Sequence, residues 1–149
     1  MAPSATHSGV LSRRQILSDV TLCPGSVVIL SGCRTGRAVL GRSDEFIGLA
    51  GGFILTGARA VVGSLWPVDD VSTSLLMEHL YQKLIAGMTH TKALRHAQLW
   101  LRELSLVDVV NVVEKWRLEG VSVDFVDTGY EDMPFAHPYY WAGFFSVGV

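Results

Sequence analysis

The chain has 149 residues, enough for one domain and too few for a second core of useful size. With 49% hydrophobic and 17% charged residues it cannot be a disordered tail, and a net charge of −2 without like-charge runs leaves no footprint for nucleic acid or an anionic membrane. Two cysteines, Cys23 and Cys33, are too few for a disulfide scaffold, and no CxxC pair or His/Cys cluster suggests zinc; the expectation is no metal, no cofactor and a reducing, cytoplasmic setting.

Residues 1–9 lack the basic segment and apolar core of a signal peptide. Residues 11–20 carry a short helical pattern with Ile16 and Leu17 on one side, and LCPG at 22–25 is a turn. Residues 27–31 (VVILS) are aliphatic and β-branched, the pattern of a strand buried on both faces as in a parallel sheet. After a turn and loop over 32–43, Asp44 and Glu45 open a helix in which Phe46, Ile47, Ala50, Phe53 and Ile54 repeat at helical spacing and which Gly57 can end. Gly51, Gly52 and Gly57 suggest a close helix-to-sheet approach. The apolar run 47–58 stops at Arg59, well short of the roughly 20 residues a bilayer requires. RAVVGSLW at 59–66 then reads as a second buried strand closed by Pro67, completing a β-α-β unit with a parallel pair and a right-handed crossover.

Residues 68–73 switch into a helix with a stripe of Leu76, Leu80 and Leu84 ending at Gly87, and 89–104 give another with Ala93, Leu94, Ala97 and Leu101 aligned. Both are expected on one face of the sheet. Further on, VVNVVEKWRLEG looks helical with Gly120 as its stop, and VSVDFV at 121–126 alternates like an edge strand. WAGFFSVGV at 141–149 is a last core strand after a turn at His137-Pro138. Trp66, Trp141, Tyr139 and Tyr140 read as core and rim aromatics.

Chemistry concentrates where the first strand ends. In open α/β sheets ligands bind outside the carboxyl ends of the strands, and SGCRTG puts Cys33 at such an end. The backbone N–H groups around Gly32 and Arg34 can hold an oxyanion, and a nearby imidazole would make the thiol a nucleophile. A phosphatase loop needs arginine at the sixth position after the cysteine, where this chain has Val39, and a P-loop needs a lysine that GCRTGRAVLG lacks. Both fail.

SGCRTG, GLAGGFILTGARAVVGSLWPVDD, ALRHAQLWLR and HPYYWAGFFSVG, in that order, resemble the motifs of the CHAT domain, a caspase-like and separase-like cysteine peptidase domain. The resemblance runs from about Ser26 to Gly148, with a break over 105–134. It implies a three-layer α/β sandwich, mostly parallel, with a His/Cys dyad at the ends of adjacent strands. Cys33 matches the nucleophile; the family's Ala-Cys-Glu-Thr-Gly stands here as Gly32-Cys33-Arg34-Thr35-Gly36, which reverses a charge beside the thiol. SATHSG puts His7 in the context of the dyad histidine, and the short stretch before it implies a C-terminal portion of the domain that lacks its first strands. Asp70, with Asp69 beside it in LWPVDD, matches the acid that receives a basic P1 side chain.

Blander roles stand beside these. A lone cysteine is by default a buried structural thiol, a default that four ordered motifs reverse for Cys33 and leave standing for Cys23 as a turn or core thiol. Asp69 and Asp70 can also cap the next helix. His137 reads as a turn residue with a fallback role as base, and His79, His90 and His96 as surface or satisfied histidines. Two functions follow: a cysteine endopeptidase acting on protein or peptide substrates under a regulatory repeat-domain partner, or a catalytically inactive interaction module or enzyme fragment. A sheet lacking its first strands is also expected to self-associate through its open edge.

Overall fold

A computed structural model describes residues 13–31, 43–123, 125 and 132–149; His7, Gly32, Cys33 and Arg34 lie outside the described residues. The elements run α1 (Arg13–Asp19), β1 (Val27–Leu30), α2 (Ser43–Leu55), β2 (Ala60–Ser64), α3 (Asp70–Ile85), α4 (His90–Glu103), α5 (Leu106–Leu118) and β3 (Phe144–Gly148), with a 3-10 turn at Pro138–Tyr140 before β3. These strands form one sheet in the order β1-β2-β3.

β1 and β2 pair in parallel with Val28 opposite Val61 and Ile29 opposite Val62, as the β-α-β reading requires. β3 runs antiparallel to β2, Phe144 opposite Ser64 and Ser146 opposite Val62, so the sheet of the described residues is mixed. The reason lies in the approach. The chain returns from α5 through the Pro138–Tyr140 turn to the carboxyl end of β2, where the Leu65 N–H donates to the Gly143 carbonyl at 2.9 Å, and β3 can only run back from there.

Alternation along the strands sends successive side chains to opposite faces, and each face has its own core. Val61 packs with Ile16, Ala50 and Phe53 of α1 and α2, and Val28 and Leu30 join them. Val62 and Phe144 pack with Leu76, Leu80, Leu101 and Val113 of α3, α4 and α5. Helices therefore flank both faces. Within α4 the buried positions Ala93, Leu94, Ala97 and Leu101 are those the spacing predicts, and in α3 the stripe widens to include Val71, Leu75 and Met77. On α1 the pattern misled: Ile16 is fully buried, whereas Leu17, about 100° further round the helix, is 46% exposed.

Three smaller expectations also change. Gly51 is exposed with open space around it, and Gly57, which follows α2, comes close to the Leu22 carbonyl and not to the sheet. Cys23 is exposed in its turn, where its carbonyl accepts both the Ser26 N–H and the Ser26 hydroxyl, so it is no core thiol. The described residues of 121–126 form no strand. Gly120, at φ +85°, closes α5 by giving its N–H to Arg117 while Val121 gives its own to Trp116, a paired closure that turns the chain off the helix axis. Arg117 Nη2 then donates to the carbonyls of Val123 and Phe125, acceptors that a neighbouring strand would otherwise use.

Candidate functional site

Because β1 and β2 are parallel, both leave the sheet at the same end. β1 ends at Leu30, three positions before Cys33 in the sequence, and β2 ends at Ser64, from which Leu65 to Val68 lead directly to Asp69. This second connection is held on both sides. The Trp66 indole N–H donates to the Tyr139 carbonyl at 3.0 Å, and the Tyr139 hydroxyl donates to the Pro67 carbonyl at 2.7 Å. The Trp66 ring lies so close to Gly143 that a Cβ there would sit 2.6 Å from it, so only glycine lets the two segments meet.

The two aspartates are then placed differently. Asp69 is the N-cap of α3, with extended backbone and a carboxylate that accepts the Ser72 N–H at 2.8 Å. Asp70 is the first helical residue and is exposed, and its carboxylate makes no bond to another described residue. Beside them opens a cavity of about 440 Å³, within the range of small-ligand sites. Asp69, Asp70, Val71 and Ser74 line it from α3, and Trp116, Val121, Ser122 and Val123 line it from the end of α5 and the segment beyond. No lysine or arginine is among these lining residues. An anionic, partly apolar hollow of this kind favours a cation on a hydrocarbon stem.

Sequence reasoning found the acidic wall and missed the other. Its signal was present: Trp116 follows an amphipathic run and stands just before the helix stop at Gly120, but nothing local says that this end folds back onto α3.

The histidines serve elsewhere. His90, 6% exposed at the start of α4, has Nδ1 2.6 Å from the Ser146 hydroxyl and ties α4 to β3. His79 stacks on Trp100 with ring centroids 4.4 Å apart; its burial, with Lys83 and His96 nearby, holds its pKa below the usual imidazole value. His137 caps the 3-10 turn, its Nδ1 accepting the Tyr139 N–H, and it does not line the cavity. Among the described residues no group of three His, Cys, Asp or Glu is placed to hold a metal ion, and no helix is long and apolar enough to cross a membrane.

A mixed sheet flanked by helices, with an acid-lined hollow beside the connection that leaves its central strand, defines an α/β protein with its candidate site at the strand ends. The chain belongs to the CHAT-domain family, whose family model matches residues 1–149. It is also similar to Tetratricopeptide repeat protein 28 of Homo sapiens, 25% identical over 125 residues. That match covers 84% of this chain but 4% of the human protein, so the chain spans only a small part of that relative. No solved structure matches.

Proposed function

We propose that the chain carries the catalytic edge of a caspase-like and separase-like cysteine endopeptidase with a three-layer sandwich fold, working in the cytoplasm. The observation that carries this reading is the cavity lined by Asp69 and Asp70 beside the outlet of β2, the strand parallel to the one that hands the chain to Cys33. Under it, Asp70 receives a basic P1 side chain, while Asp69, already committed to the Ser72 N–H, adds charge and fixes the helix start.

Cys33 as thiolate attacks the carbonyl carbon of the scissile peptide, and the carbonyl electron pair moves onto oxygen. The backbone N–H groups of Gly32 and Arg34 stabilise that oxyanion. His7, protonated when it takes the thiol proton, returns it to the leaving amine as the C–N bond breaks. Water then hydrolyses the thioester. The human relative is named for tetratricopeptide repeats, which supports a repeat-domain partner as the regulator.

Peptides with arginine or lysine at P1 should be cleaved by the folded chain in the presence of such a partner, and Cys33→Ala should abolish cleavage. Alkylation of Cys33 should persist well below the reference thiol pKa of about 8.5, and should lose that persistence in His7→Ala. Ordinary thiol reactivity indifferent to His7, together with no Cys33-dependent cleavage, would hand the domain to the inactive interaction-module reading.

A further inference from the structure

The part of the cavity lining that comes from α5 and the segment beyond it lies outside every motif that led to the site, and it has its own chemistry. Trp116 stands in the last turns of α5, part-buried against the core shared with α3 and α4. Val121 and Val123 continue this wall after the Gly120 closure, and Arg117 holds that segment through the Val123 and Phe125 carbonyls. Arg117 itself is also engaged with Glu114, so its charge is already partnered near the hollow. The cavity lining thus combines the Trp116 side chain from α5 with the Asp70 carboxylate from α3, which makes no bond to another described residue.

A carboxylate alone distinguishes poorly between lysine and arginine, because it satisfies either charge. An aromatic face changes that. A guanidinium is planar, delocalised and weakly hydrated, so it stacks on an indole while its N–H edge still reaches a carboxylate; a compact, strongly hydrated ammonium does only the second well. We propose that Trp116 is a specificity-determining residue that makes this cavity select a guanidinium over an ammonium side chain. The inference rests on the reading that the cavity receives a substrate side chain, and it adds which one and through which residue.

The test is binding, so that it does not depend on turnover. N-acetyl-arginine amide and N-acetyl-lysine amide are titrated into the whole chain while the indole N–H resonances are followed by NMR, with Trp116 assigned by its loss in Trp116→Leu. The arginine amide should move the Trp116 resonance and bind roughly threefold or more tighter than the lysine amide. Asp70→Asn should weaken both, and Trp116→Leu should retain binding while erasing the difference. Equal binding of the two amides to the unmodified chain, or an arginine preference that survives Trp116→Leu, overturns the role of Trp116 and leaves the acidic cavity standing. No binding of either amide, with Asp70→Asn without effect, overturns both the inference and the side-chain-receiving reading beneath it.

Discussion

Asp69 accepts the Ser72 N–H and so closes the first turn of α3, whereas the Asp70 carboxylate one residue on has no bond to another described residue. Loss of an N-cap side chain costs about 0.5–2 kcal/mol. Asp69→Ala should therefore lower the unfolding free energy from urea titration by that order, while Asp70→Ala should leave it near its starting value and act on cation binding instead; equal stability losses would contradict this division. His79 gives a second prediction at the same scale. Its pKa is held below the ordinary value of about 6.5 by burial, then by Lys83 and His96, so the unfolded chain binds this proton more readily than the folded one. Stability from this site is therefore complete above the ordinary imidazole pKa and declines as pH falls below it toward the lowered one. A urea midpoint followed from neutral to mildly acidic pH should fall, and less so in His79→Phe, which keeps a ring against Trp100 without a proton to bind. An identical fall in both proteins would put the pH dependence elsewhere.

At the scale of the element, the end of α5 builds one wall of the cavity, and Gly120 is the pivot of that end. A Cβ at Gly120 would meet nothing within 4 Å, so an alanine there would be opposed only by the backbone conformation at φ +85°. Left-handed geometry costs a residue with a side chain about 1–2 kcal/mol, and Gly120→Ala should show that loss in thermal melting together with weaker binding of cationic side chains, because the Val121 to Val123 wall is displaced. Unchanged binding would mean that this wall is immaterial. The same stretch shows why legibility was uneven. α3 and α4 could be read because each buries one stripe against a neighbour, and period alone reveals that. β1 and β2 could be read as a parallel pair because a single helix connects two apolar runs in a β-α-β unit. VSVDFV alternates as a strand does, yet the Val123 and Phe125 carbonyls accept from Arg117 six and eight residues back, a choice that alternation does not encode. Asp70 was legible because a motif carried it, while Trp116 acquires its role only when α5 meets α3. The antiparallel run of β3 likewise depends on where the chain re-enters the sheet, which the composition of WAGFFSVGV does not state.

For the whole molecule, the decisive feature is that β2 is central and β1 is an edge strand among the described residues. Every residue of β1 is only half-buried, in contrast to the fully buried Ala60 to Gly63 of β2, although the composition of VVIL reads as a strand covered on both faces. An edge strand is normally protected by lysine, proline, a bulge or brevity, and of these β1 has only its four-residue length. Among the described residues no strand pairs with its outer N–H and C=O groups, which present a template on which another strand can form. The chain should self-associate reversibly as concentration rises, through added β pairing and not through its helices. Sedimentation velocity across a wide dilution series should show the weight-average size growing with concentration, and hydrogen exchange at residues 27–30 should slow in step with it. A single monomeric boundary at every concentration, with exchange at those residues unchanged, would mean that the edge is already satisfied within one chain.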